Sequence, residues 1–306
     1  MDRGVERERM GKLFAGAATD SGRVRDHNED EVSLSEPGSE RAVSHGFLIA
    51  VADGMGGHER GEVASKLAIE TLFSSFYAPG NGEGSTDTVV MLQQAFKHAN
   101  ARIMAEAING EGGGSMGTTM VAAAVVGDNL TVANVGDSRA YLVRAEQATQ
   151  ITRDHSLVAE QVAGGVMTEE EARLSNYRNI ITRALGHRPK VDVDVFEIRL
   201  LPEDRVVLVS DGVHGSVEPE DVATLVLQQS PQDASQALID LALEQGSTDN
   251  VTAAVIMFEP ATVEAEPALA TAGSGGRGFS PVVLILFVIV ALAVILAVVY
   301  ATGFFA

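Results

Sequence analysis

The stretch TTMVAAAVVGDNLTVANVGDSRAYLV, residues 118–143, holds three apolar runs at 118–126, 130–135 and 139–143, separated by Gly127-Asp128-Asn129 and Gly136-Asp137-Ser138. Runs of this length and composition read as strands. Short Gly-Asp connections read as hairpin turns, because Gly tolerates positive φ and an Asp or Asn side chain closes a turn on its own backbone. The stretch therefore predicts an antiparallel meander. Outward from it, further strands are expected at 47–52, 191–200, 205–210 and 251–258. Helical periodicity falls at 61–77, 87–109, 156–164, 218–228 and 231–245. Helices thus come in pairs between groups of strands, which predicts an α+β fold with antiparallel sheets covered by helices. No internal repeat is visible.

The chain has 306 residues, enough for a large packed core, and 42 acidic against 22 basic side chains give a formal net charge of −20. That surplus opposes binding to nucleic acid or to an anionic surface and suits a protein that holds divalent cations. Cysteine is absent, which excludes disulfides, thiolate nucleophiles and thiolate metal sites. The charged start, residues 1–12, is followed by a Gly/Ala-rich run at 13–18 too short for the core of a signal peptide, so the amino-terminal part is expected in the cytosol. Residues 282–300 are uninterrupted apolar residues, roughly 28 Å as a helix at ~1.5 Å per residue, and read as a membrane span. The expected organisation is a tail at 1–12, a domain at 13–259, a flexible linker at 260–280, a transmembrane helix at 281–303 and a short tail at 304–306.

Four acidic residues share one context, an Asp at a strand edge beside Gly or Asn: Asp53 after the run at 47–52, Asp137 between two strands, Asp211 in Ser-Asp-Gly, and Asp249 before the run at 251–258. Singly, each has the signature of an ordinary turn. Together, carboxylates on short loops at the ends of buried strands can converge, and converging carboxylates repel unless cations lie between them. All-oxygen ligands select Mg²⁺ or Mn²⁺, and two such ions can activate water and clamp a phosphoryl group. Gly54 adds a backbone carbonyl that no Cβ obstructs.

The segments GRVRDHNED at 22–30, ADGMGGH at 52–58, MGTT at 116–119, VGDSR at 135–139, SDG at 210–212 and DNVT at 249–252 resemble, in order and spacing, the motif series of the metal-dependent protein phosphatase (type 2C) family. The resemblance covers about residues 13–258. It implies a β-sandwich of two antiparallel sheets flanked by helix pairs, four layers in the order αββα. It also implies hydrolysis of phosphoserine and phosphothreonine on proteins. By position, Asp53 bridges two Mn²⁺ or Mg²⁺ ions, Gly54 ligates through its carbonyl, Asp211 and Asp249 complete the binuclear site, and Asp30 holds water beside the metals. Asp137 takes a third, weaker ion, as in bacterial members, and Arg25 grips the substrate phosphate. A forked guanidinium suits that last task.

Met55 stands where many eukaryotic members have a histidine proposed as general acid, as it does in bacterial relatives. His58 and His214 lie nearby and read first as packing histidines, then as acids. Residues 154–183 match the position of a mobile flap, with Asn179 near a third-metal contact, or form a structural helix pair with no catalytic part. The intact Asp and Arg set favours an enzyme over a membrane-tethered pseudophosphatase that only binds phosphoproteins. The expected clients are a serine/threonine kinase or its substrates, with an anti-sigma-factor antagonist as the alternative.

Overall fold

The computed structural model describes residues 12–56, 60–79, 87–109 and 116–259, all within one unit that spans Met1–Val263. Among these residues the chain runs β1 (Lys12–Asp20), β2 (Asp30–Leu34), α1 (Glu40–His45), β3 (Phe47–Gly56), α2 (Arg60–Phe76), α3 (Thr88–Asn109), β4 (Met116–Thr118), β5 (Met120–Val126), β6 (Asn129–Val135), β7 (Arg139–Arg144) and β8 (Gln147–Gln150). It continues through α4 (Leu157–Ala163), α5 (Glu169–Leu174), β9 (Asp194–Arg199), β10 (Arg205–Val209), α6 (Asp211–His214), α7 (Pro219–Gln228), α8 (Pro231–Glu244) and β11 (Val251–Glu259). Two sheets result, β1-β11-β10-β7-β8 and β2-β3-β5-β6-β9, with β4 paired to the end of β3. Every pairing is antiparallel.

Period-2 alternation explains the layers. Phe47, Ile49 and Val51 of β3 meet Val206 and Leu208 of β10 and Ala254 and Ile256 of β11 between the sheets. Leu48, Ala50 and Ala52 face the other way, against Leu72 and Phe76 of α2 and Leu92 and Phe96 of α3. The second helix pair, α7 and α8, covers the outer face of the other sheet, where Val226 and Leu238 pack with Val207 and Val209 of β10 and Ala253 and Val255 of β11. Strands buried on both faces read as continuous apolar runs, which is why they are visible in the sequence. Each large side chain in these layers contributes about 1.5–3 kcal/mol by burial.

The expected α+β class, antiparallel sheets and helix pairs are all present. The meander is not. The Gly127-Asp128-Asn129 turn does join a hairpin, β5 to β6, but Gly136-Asp137-Ser138 carries the chain from one sheet to the other, since β6 pairs with β5 and β9 while β7 pairs with β10 and β8. Strands buried on both faces carry no solvent side to tell a hairpin from a crossover. The expected strand at 118–126 breaks at Thr119 into β4 and β5, and β3 runs on past Ala52 to Gly56 by exchanging its partner β5 for β4. The strands β1, β2 and β8 and the helices α1 and α6 have no counterpart among the expected elements. No helix among the described residues is long and apolar enough to cross a membrane. The expected linker, transmembrane helix and carboxyl-terminal tail lie outside the described residues, as does the amino-terminal tail except Lys12, which opens β1.

Candidate active site

Five aspartates collect at one end of the sandwich, and both sheets supply them. Asp30 opens β2 and is the direct cross-strand partner of Asp53 in β3. Asp137 lies in the crossover after β6, Asp211 opens α6 just after β10, and Asp249 precedes β11. Short loops at the ends of rigid strands hold these side chains in place.

The backbone around them is closely fitted. A Cβ on Gly54 would run into the carbonyls of Gly61 and Glu29, so glycine is required there by the approach of α2 as well as by any need to expose a carbonyl. Gly22, at φ 80°, turns the chain against the Asp249 carbonyl and so brings Arg25 over that residue. Thr119 ties three parts together: its Oγ1 accepts from the Asp53 N–H at 3.1 Å and pairs with Ser138 Oγ at 2.7 Å, while its own N–H donates to the Asp53 carbonyl at 2.9 Å. Asn250 accepts from the Glu29 N–H and donates to the carbonyls of Ser21 and His27, which pins the 21–29 loop to β11.

Asp30 Oδ2 accepts from Ser210 Oγ at 2.8 Å and Thr252 Oγ1 at 2.6 Å. Asp30 Oδ1 and Asp137 Oδ1 are buried and have no hydrogen-bond partner among the described residues. Burial, with repulsion from Asp211 and Asp249, pushes the Asp30 pKa up to about 7 despite the two hydroxyls. Burial first, then Asp211 and Asp154, raises Asp137 to about 7. Asp53 lies well above the carboxylate range, through burial and then the charges of Asp30, Asp211, Asp137 and Asp249. Asp211 is raised by burial and by Asp249.

This arrangement fits hard divalent cations: the donors are all oxygen, they repel one another, and two buried oxygens lack a partner. As the side chains stand, no three acidic or histidine side chains among the described residues close on a single point. The charge coupling is the more telling observation, because Asp53 alone feels four other carboxylates, and Asp249 is drawn aside. Its Oδ2 accepts from Arg25 Nη2 at 2.6 Å.

Of the remaining expected residues, Arg25 is about half exposed and reaches the cluster. His214 does not face outward as a rim acid; its Nε2 donates to the Asp137 carbonyl at 3.0 Å, and burial lowers its pKa to about 3. Met55 pairs with Gly117 in the β3–β4 ladder, Asn179 is exposed, and His58 lies outside the described residues. Residues 154–183 do form a helix pair, α4 and α5, the latter opened by a Thr168–Glu171 capping box. Ser210, Asn250, Thr252 and Thr119 lie within the quoted motifs, yet sequence reasoning assigns them no role; a hydroxyl or amide next to a conspicuous Asp carries no separate signal.

Residues 14–251 match the family model "Protein phosphatase 2C". The serine/threonine phosphatase stp of Listeria innocua is 34% identical over 245 residues, 80% of this chain and 95% of that protein. The serine/threonine protein phosphatase PstP of Mycobacterium tuberculosis is 36% identical over 265 residues, 86% of this chain and 48% of that longer protein. The crystal structure of M. tuberculosis PstP/Ppp superposes with a TM-score of 0.72 at 36% identity, covering 81% of this chain and 99% of that one. A structure of the PstP catalytic domain in complex with two manganese ions superposes with a TM-score of 0.70 at 35% identity, covering 81% and 99%. With the matched segment spanning both sheets and every one of the carboxylate loops, the chain belongs to the protein phosphatase 2C family.

Proposed function

We infer that this chain is a metal-dependent serine/threonine protein phosphatase that uses Mn²⁺ or Mg²⁺. The observation that carries the reading is the gathering of Asp30, Asp53, Asp137, Asp211 and Asp249, each from a different loop or strand, into one mutually repelling group. Asp53, Asp211, Asp249 and the Gly54 carbonyl would hold two ions, and Asp137 a third. Bound there, the ions supply an acidified water and neutralise charge on the phosphoryl group. The protein's own part is to orient. Ser210 and Thr252 fix one oxygen of Asp30 and leave the other free to accept a proton-bearing group. Arg25, exposed at the mouth, can fork onto phosphate oxygens once it leaves Asp249. His214 is committed to the Asp137 carbonyl, so it supports the loop rather than the leaving group. Hydrolysis of phosphothreonine and phosphotyrosine peptides with and without Mn²⁺ tests this; metal-independent turnover, or none on phosphothreonine, overturns it.

The uninterrupted apolar run at 282–300 supports a further part of the reading, a single-pass anchor with the catalytic domain in the cytoplasm. Arg277 precedes the run and residues 301–306 carry no Lys or Arg, which favours that orientation. With an anchor there, the clients would be phosphoproteins at the membrane, a serine/threonine kinase or its substrates.

A further inference from the structure

The loop that carries Asp137 is fixed by a group to which the mechanism gives no task. Gly136 has φ 112°, in the left-handed region where a side chain is strained, and a Cβ there would press into Thr119. On this path both hydrogen-bonding groups of Gly136 go to one residue. The Gly136 N–H donates to His155 Nδ1 at 3.0 Å, and the His155 backbone N–H donates to the Gly136 carbonyl at 3.0 Å. Asn134 Nδ2 donates to the same carbonyl at 3.2 Å.

A backbone N–H only donates, so Nδ1 of His155 is bare and the ring proton sits on Nε2. That nitrogen lies 3.2 Å from Asp194 Oδ2, off the alignment of a hydrogen bond, and Asp194 Oδ1 accepts from Arg183 Nη1 at 2.6 Å. The His155 carbonyl takes the Thr182 N–H at 2.8 Å, and Ser156 bridges to Ile181. The buried imidazole therefore stands between the Asp137 loop on its Nδ1 side and the end of the 154–183 segment on its Nε2 side.

We propose that His155 is a positioning residue for Asp137: its Nδ1 lone pair fixes the Gly136 peptide and thereby the direction of the Asp137 carboxylate, and Nε2 is the weaker arm through which Asp194 and the 154–183 segment reach that loop. This rests on the reading that Asp137 holds a divalent ion. A ring that merely filled space would need the right volume; a positioning ring needs the acceptor. Side-chain amides separate the two, since asparagine places an oxygen near where Nδ1 sits, glutamine reaches the Nε2 side instead, and leucine supplies neither.

The test is Mn²⁺ binding to the full chain without substrate, followed by the electron paramagnetic resonance of free Mn²⁺. Asp137→Asn should remove the weakest site and leave the tight ones. His155→Leu and His155→Gln should weaken that same site by about 10–100-fold, the range for residues that orient a metal ligand, while His155→Asn stays close to the parent. Equal losses in all three His155 variants, or no loss in any, overturn the proposal, as does an Asp137→Asn chain that binds Mn²⁺ as the parent does. A parent chain that binds no Mn²⁺ at all removes the metal reading itself. Nitrogen-15 spectra of the unaltered protein give a check that needs no variant: the ring of His155 must carry its proton on Nε2, and the opposite tautomer overturns the assignment.

Discussion

Arg25 Nη2 and Asp249 Oδ2 stand 2.6 Å apart, so the guanidinium assigned to the substrate phosphate is joined to a carboxylate assigned to a metal. The pair is partly exposed, at 51% and 34% for the two side chains, and such pairs contribute only about 0–1 kcal/mol. A divalent ion therefore displaces Arg25 from Asp249 at small cost. Arg25→Ala should raise KM for phosphopeptides through lost phosphate contacts, with Mn²⁺ affinity no weaker than the parent's. Calorimetry that found weakened Mn²⁺ binding in Arg25→Ala would falsify the phosphate role.

Asp53 is the residue most surrounded by other carboxylates, and Asp249 adds a charge from the opposite sheet. Asp53→Asn or Asp249→Asn should lower kcat by about 10²-fold or more, by analogy with the loss of one preorganised electrostatic group. Excess chelator should do the same to the unaltered chain. Undiminished turnover in either case removes the metal mechanism.

Thr252 and Ser210 both donate to the same oxygen of Asp30 and carry no charge themselves, so Thr252→Val probes orientation separately from charge. The expected loss is about 10–100-fold in activity, the scale for partners that orient a ligand. Loss of the cooperative thermal transition in Thr252→Val would mean that the bond is structural instead.

Metal-stripped protein should be more stable at pH 5 than at pH 8. Asp30 and Asp137 ionise near pH 7 when folded and near 3.8 when unfolded. Between about pH 4 and 7 the folded state thus binds more protons, and stability falls as pH rises through that window. Mn²⁺ at pH 8 should restore it by replacing the protons, and Asp30→Asn should flatten the slope. Melting temperatures across pH 5–8 decide the matter; a metal-stripped chain that melts higher at pH 8 contradicts the assignment.

A chain ending at Pro260 should be soluble and keep phosphatase activity on peptides, whereas the full chain should resist carbonate extraction from membranes. Recovery of the full chain in the soluble fraction without detergent would rule out the anchor.

Much of the fold is legible because its strands are buried on both faces, so that runs such as 47–52 and 251–258 stand out by hydropathy alone. The edge strands β1, β2 and β8 are not, since Ala, Gly, Glu and Gln dilute their pattern. The crossover at Gly136 reads as a hairpin because Gly-Asp-Ser has the same local chemistry whether the next strand returns or changes sheet. For the site, the aspartates announce themselves by repeated context. Their supports do not: His155 lies 19 residues from Gly136 in sequence, and only the fold reveals that its ring closes on that peptide.

The pairing of β1 with β11 has a practical consequence. Asp20 faces Val251 at one end of this ladder, two residues from Asp249, and Lys12 faces Glu259 at the other. Nine residues of strand at about 3.4 Å each separate those ends by roughly 27 Å. Lys12 and Glu259 therefore stand side by side, on the far side from the carboxylates. A circular permutant that links residue 259 to residue 12 and reopens the chain at Gly127-Asp128 would leave every carboxylate loop uncut, and a solid support grafted at residue 259 would hold the domain with its working end outward.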